Sequence, residues 1–387
     1  MSAAYWRRAM NTGLAAAARP LPLPKAGAVT ASTPAPVIDP YEASDAPRWL
    51  KFLWRHLAAR HVFVFALLLI YPFVATPFFT FQIAAQSLAL GLIALSLTFL
   101  GGYGGMVSLA QMTIAGIAGY AVSILGVSGA SGQAMSLAWP WWVVVPFALV
   151  IATTVAALIG WLSVRTEGIY TIMITLAIGV AFYYLVLQNY SVFNGFQGFQ
   201  KVYPPTVLGI DWRSPVPFYF LVLFWSLAGY LFVKWLVRTP FGIALQGVRD
   251  NPRRMAALGF NVTAHRVAAY AVAGLIAAVG GILFTWYNGL ISPNSVGTGW
   301  LINILVIAVL GGMRHPIGAF LGGIVFVLLQ TFAIDVIDRE RFNLVIGVVF
   351  LAIVLFSPDG LLGLWAKLRS RFGPRQALVS PTPRRQA

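Results

Sequence analysis

Between residues 61 and 164 the chain contains no Asp, Glu, Lys or Arg. A helix needs only about 20 predominantly apolar residues to cross the hydrocarbon core of a bilayer, so this uncharged run alone holds several crossings. Soluble domains carry roughly a quarter charged residues. Here charged residues make up 9% of 387 and hydrophobic residues 59%, with a mean hydropathy of +0.81. A water-soluble globule is excluded, and the expected fold is an all-α integral membrane protein.

Apolar runs place ten spans near 62–80, 82–100, 105–126, 140–163, 169–188, 217–236, 267–290, 297–311, 316–335 and 343–358. The Gly-rich stretch 101–105 reads as a helix break, so the expectation is eight to ten transmembrane helices with Gly-rich breaks. Residues 1–47, rich in Ala, Pro, Ser and Thr and without hydrophobic periodicity, are expected to form a disordered tail. Residues 48–372 form the membrane domain, with a polar loop at 238–266, and 373–387 a second tail.

The formal charge is +16, but the basic residues sit in the tails and in short gaps between apolar runs. They form no continuous stripe of the kind that tracks nucleic acid, and no nucleic-acid partner is expected. They read instead as topology signals. Arg48, Lys51, Arg55 and Arg60 precede the first span; Arg238, Arg249, Arg253, Arg254 and Arg266 follow the sixth; Lys367, Arg369, Arg371 and Arg375 follow the tenth. The positive-inside rule puts all three groups, and both termini, in the cytoplasm. Even numbers of spans separate them, as the rule requires. Residues 189–216 then fall outside with Lys201, Asp211 and Arg213, and so do Asp338, Arg339, Glu340 and Arg341. Trp139, Trp141, Trp142, Trp212 and Trp300 lie near outer span ends, where interfacial aromatics anchor.

Cysteine is absent, and the four His (His56, His61, His265 and His315) lack metal-ligand spacing. No cofactor or metal is expected. Proton-driven carriers place ionisable relays inside the membrane, yet the first five spans have none, and Lys234 and Asp335 sit at span ends. No GxxxxGK[ST] loop cradles a nucleotide either. If ATP drives this chain, another polypeptide binds it.

Gly101 and Gly105, and Gly318 and Gly322, have GxxxG spacing. Close helix packing and a helix break lining a solute path both account for them. In the polar loop, Thr239-Pro240 and Asn251-Pro252 read as N-caps with Pro in the first turn, and Gly259 as a C-cap. The second helix carries Met255 and Leu258 on one side, beside Arg253 and Arg254. Such a helix suits a partner's groove or an anionic membrane surface.

Several stretches together resemble one family. Leu100-Gly101-Gly102-Tyr103-Gly104-Gly105-Met106-Val107-Ser108-Leu109-Ala110-Gln111 is similar to the Gly-rich signature of permease subunits in branched-chain amino acid and urea ABC importers, particularly their LivM-like branch. Residues 165–176, Asn194-Gly195-Phe196-Gln197-Gly198, the block 238–293 and Leu310-Gly311-Gly312 resemble further parts of it, so the likeness covers about 60–365. Met112, Gly179, Val180, Arg314 and His315 depart from the family pattern. The resemblance implies a bacterial inner-membrane permease for branched-chain amino acids or related amides and urea. It implies a second homologous permease subunit, two cytoplasmic ATP-binding subunits and an extracytoplasmic solute-binding protein as partners. It also implies a coupling helix that meets the ATPase, at Arg249, Asp250, Arg253, Arg254, Met255, Leu258 and Gly259.

A polar solute needs polar groups to replace lost hydration. Ser96, Thr98, Tyr103, Ser108 and Gln111 surround the Gly-rich break, and Tyr170, Thr171 and Thr175 lie in the other polar stretch. These eight are the candidate path residues; the alternative is that their side chains bond helix to helix. A secondary carrier or channel is the competing function. An intramembrane enzyme would need paired catalytic groups at membrane depth, and none is seen.

Overall fold

The computed structural model describes residues 59–126, 136–166, 168–206, 209 and 211–336, and a few residues between 347 and 363. The expected tails 1–47 and 373–387, most of the tenth span and Arg339 and Arg341 lie outside the described residues. The helical bundle lies within the compact unit that begins at Phe65.

Backbone groups in hydrocarbon must bond within their own helix, and the bundle is accordingly helical. Helix α1 (Ala59–Val74) leads to α2 (Phe79–Tyr103), 25 residues long. The ends of α2, Phe79–Ala85 and Phe99–Tyr103, are wound as π-helix around an α-helical middle. Helices α3 (Gln111–Leu125), α4 (Trp141–Ser163) and α5 (Ile169–Gln188) follow. The short α6 (Tyr190–Phe193) and strand β1 (Phe199–Gln200) form the next connection, then α7 (Pro215–Leu236). The polar loop holds α8 (Pro240–Asp250) and α9 (Pro252–Ala257). Helix α10 (Val262–Asn288), strand β2 (Leu290–Ile291), α11 (Thr298–Gly311) and α12 (Pro316–Val336) complete the described chain.

Five helices (α2, α4, α5, α7 and α10) are long and apolar enough to cross a membrane among the described residues. Spans expected at 140–163, 169–188, 217–236 and 267–290 correspond to four of them. The span expected at 105–126 is shorter, because α3 begins only at Gln111; its 15 residues rise about 22 Å against a hydrocarbon core of about 30 Å. The expected pair at 297–311 and 316–335 appears as α11 and α12, bent by 117° at their junction. Helix α12 runs back along α2, with Phe320 against Gly91 and Gly323 against the Ser87 carbonyl.

Lipid tails give no hydrophobic drive between helices, so close packing holds such bundles together. Helix α10 is central and lies against α2, α3 and α4. Its Gly274 meets Ala156, Gly280 meets Ile93 and Gly281 meets the Ala115 backbone. Gly318 and Gly322 bring α12 onto the backbone of α11 at Gly311 and Ile307, which is the packing use of that GxxxG pair. Tyr120 is fully buried, edge-on to Phe193 with ring centroids 5.4 Å apart. Trp139, Trp141 and Trp142 are exposed at the start of α4, where a membrane-interface anchor belongs.

Candidate functional site

Helix α2 organises two distinct ends. At its Tyr103 end the helix does not stop at Gly101, as the Gly-rich stretch leads one to expect. It widens into π-turns through Tyr103 and leaves helical geometry at Gly105, whose φ is +68°. The chain then runs without regular structure to Ser108 before α3 begins. Gly101 and Gly105 therefore do not share a helix face as a packing motif.

This break is bolted from outside. Arg249, in the last turn of α8, donates from Nη1 to the Gly102 carbonyl at 2.6 Å, across 147 residues of sequence. Its Nε donates to Asp250 Oδ1 at 2.8 Å, which fixes the guanidinium. A Cβ on Gly105 would lie 2.5 Å from Arg249 Cγ, and one on Gly102 would run into the Met313 carbonyl from the α11–α12 turn. Only glycines let the arginine and that turn approach together. The polar loop, the break and the α11–α12 turn thus form one contact.

Behind the break, seven of the eight candidate path residues are buried or partly buried. Ser96, Thr98, Ser108, Gln111 and Thr175 are each at most 1% exposed. Ser96 Oγ lies 3.0 Å from Gln111 Oε1 and 2.6 Å from the Ile93 carbonyl. Thr175 Oγ1 accepts from the Leu109 backbone N–H at 3.1 Å. That bond joins the two polar stretches, 66 residues apart, at one place. Thr171 donates to the Thr166 carbonyl, and Ser108 accepts from Ala110 N–H. Tyr103 packs on Phe99, with centroids 6.4 Å apart. Tyr170 does not join the cluster: it is 69% exposed on the outside of α5.

Ser and Thr in helices ordinarily bond a carbonyl one turn back, as Ser123, Thr154 and Thr285 do. Thr98 Oγ1, Gln111 Nε2 and Thr113 Oγ1 are buried with no partner. Each such group costs about 1–3 kcal/mol. Thr113, with the buried hydroxyls of Ser163 and Tyr270, which face one another, extends this set beyond the residues that the sequence singled out. Thr113 was within reach of it, two residues after Gln111; the others become relevant only through packing. Ser108 and Ser163 both lie beside the Tyr270 hydroxyl.

In the polar loop, Asn251 Oδ1 accepts from Arg254 N–H at 2.9 Å and caps α9 as its sequence implies. Gly259 has φ +89°, and Phe260 N–H returns to the Met255 carbonyl. Leu258 is 66% exposed beside exposed Arg253 and Arg254. Met255 differs from the expected docking face, since its sulfur is turned back over Gly247 of α8.

At the Phe79 end of α2 the geometry is open. A cavity of about 250 Å³ is lined by Phe81, Phe218, Trp286 and Tyr287, with Tyr203, Arg213 and Asn288 among the other lining residues. Tyr287 OH donates to Gln86 Oε1 at 3.2 Å. Among the described residues no group of His, Cys, Asp or Glu is placed to hold a metal.

A bundle of apolar helices around buried polar groups, with a glycine-built break tied to a polar loop, defines a membrane transport component. The family model described as "Branched-chain amino acid transport system / permease component" matches residues 79–354. The chain belongs to that family. It is 25% identical to the high-affinity branched-chain amino acid transport system permease protein LivM of Salmonella typhimurium strain LT2, over 78% of this chain and 74% of that protein. The LivM of Escherichia coli K12 is also 25% identical, over 75% and 72%. The ribose import permease protein RbsC of Haemophilus influenzae is 22% identical, over 73% and 85%. No solved structure matches.

Proposed function

We propose that the chain passes branched-chain amino acids, or related small solutes such as amides and urea, through the cluster of Ser96, Thr98, Ser108, Gln111 and Thr175, with Tyr103 and Thr171 at its edge. In this reading ATP is hydrolysed on two separate cytoplasmic subunits. A second homologous permease completes the pore, and an extracytoplasmic solute-binding protein delivers the solute. The Tyr103 end of α2, the loop 238–266 and both termini face the cytoplasm, and residues 189–216 face outside.

The observation that carries the reading is the meeting of two polar stretches at Thr175 and Leu109 N–H, beside three unpartnered buried groups and directly behind the Arg249 contact. Packing alone gains nothing from unpartnered groups. A solute replaces its water shell there, and a weakly polar lining releases it again. Arg249, Asp250, Arg253, Arg254, Leu258 and Gly259 transmit the ATPase movement, Arg249 by its hold on Gly102.

The test is uptake into proteoliposomes containing this chain and its partner subunits. Uptake of labelled leucine, isoleucine or valine is expected to need ATP and the binding protein, and to ignore collapse of the proton gradient. Uptake that follows the gradient without ATP identifies a secondary carrier and overturns the reading.

A further inference from the structure

We propose that the cavity at the Phe79 end of α2 is a binding site for a small solute carrying a carboxylate beside an apolar side chain, as an α-amino acid does, with Arg213 receiving the carboxylate. The proposal rests on the transport reading above and gives it a first station.

The cavity is small. Its volume of about 250 Å³ falls below the roughly 300–1,000 Å³ of pockets that enclose drug-sized ligands. Three of its walls form one aromatic group: Phe81 stacks on Tyr287 at 4.9 Å and lies 5.4 Å from Phe218. Such walls take an aliphatic side chain, because burial of apolar surface is their one strong contribution.

The rim is polar and held in place. Val202 N–H donates to the Gly289 carbonyl at 3.0 Å, and β1 pairs antiparallel with β2, so the connection before α7 is pinned to the end of α10. Tyr203 then lies over Gly289, where a Cβ would be 2.6 Å from its Cε1 and where φ is +63°. That φ and that contact both require glycine. The Arg213 guanidinium sits over the Tyr203 ring, 3.8 Å from its centroid, a stacking worth more as water is excluded.

Arg213 has no carboxylate at ion-pair distance among the described residues. The nearby Asp211 instead accepts the Arg213 backbone N–H at 3.0 Å. A planar guanidinium resting on a ring face keeps its edge donors open, and these suit a carboxylate in bidentate fashion. Asn288 donates from Nδ2 to the Phe284 carbonyl, which leaves its Oδ1 as an acceptor for the ammonium of the same solute.

A free solute and an acidic side chain of a docking protein both offer a carboxylate, and an anionic headgroup offers similar charge, so the test must separate them. The complete permease with its ATPase subunits, in nanodiscs of neutral lipid and without binding protein, is titrated with labelled L-leucine. Saturable binding is expected. Arg213→Gln should weaken it about tenfold, the scale of one charge-assisted bond, while Arg213→Lys recovers part and Tyr203→Leu weakens it less. Leucinamide, which lacks the carboxylate, should compete about tenfold less well than leucine. Co-purification of the ATPase subunits reads whether each variant assembles. Absence of saturable leucine binding to the unaltered complex overturns the proposal. So does an Arg213→Gln variant that binds leucine normally but loses affinity for the binding protein or for anionic lipid. Dependence of uptake on ATP is measured on the unaltered protein, so failure of this site leaves the transport reading standing.

Discussion

The two ends of α2 are built in opposite ways. At the Phe79 end large aromatic rings stack around a cavity, and an arginine rests on a tyrosine face at its mouth. At the Tyr103 end the contacts are backbone-close: glycines let Met313 and Arg249 press on the chain, and the arginine bonds a main-chain carbonyl. An arginine on a ring can exchange partners at little cost, whereas one bonded to a carbonyl and an aspartate holds a shape. The comparison teaches that one end keeps open space between rings while the other is closed by backbone contact, which on the proposed reading suits the first to receiving a solute and the second to answering the polar loop.

Substitutions at the tight end should have the largest effects. Gly102→Val drives a side chain into the Met313 carbonyl, an overpacking that costs about 1–3 kcal/mol or more. ATP-driven uptake per assembled transporter is expected to fall to background. Near-normal uptake would mean that the α11–α12 turn does not need this approach. Arg249→Ala is next. Loss of a charge-assisted bond is worth about 1.5–3 kcal/mol, tenfold or more in a coupled equilibrium, so uptake should fall about that far while ATP hydrolysis persists. Arg249→Lys should restore only part of it.

Leu258→Asp should act more weakly, by reducing uptake per ATP a few-fold, because a single exposed side chain gives one anchor in a groove. Unchanged coupling would move the ATPase contact elsewhere in the loop. Gln111→Leu gives the smallest change in stability and separates the two uses of buried polar groups. If the amide is helix glue, thermal stability drops by about 1 kcal/mol. If it lines a path, stability holds or rises, since an unpartnered N–H is removed, while uptake slows.

Local signals were legible in sequence. Thr239, Asn251 and Gly259 act at helix ends as their residue types require, and the long apolar runs became α4, α5, α7 and α10. Most of the polar residues that the fold buries behind the break were also picked out in the sequence, because hydroxyls and amides stand out in an apolar chain. What was missed depends on distance along the chain. The Arg249 bond to Gly102 joins residues 147 apart, and no periodicity encodes it. Tyr170 carries the same local polarity as Thr171, yet one faces out and the other in, since successive helical positions point about 100° apart. The π-winding of Phe99–Tyr103 lies where Met313 and Arg249 approach Gly102 and Gly105, a long-range contact that an apolar run does not announce.

The central claim, that the buried polar cluster is the solute path, is tested most directly by reagent access in a chain that has no native cysteine. Thr98→Cys places one thiol where a fully buried, unpartnered hydroxyl stands, and Gln197→Cys gives an exposed control. With a small water-soluble thiol reagent, Cys at 197 should react at all times. Cys at 98 should stay silent at rest, react when ATP and binding protein drive turnover, and be protected by excess solute. A thiol at 98 that never reacts during demonstrated turnover would contradict the account, because solute would then be crossing without passing Thr98.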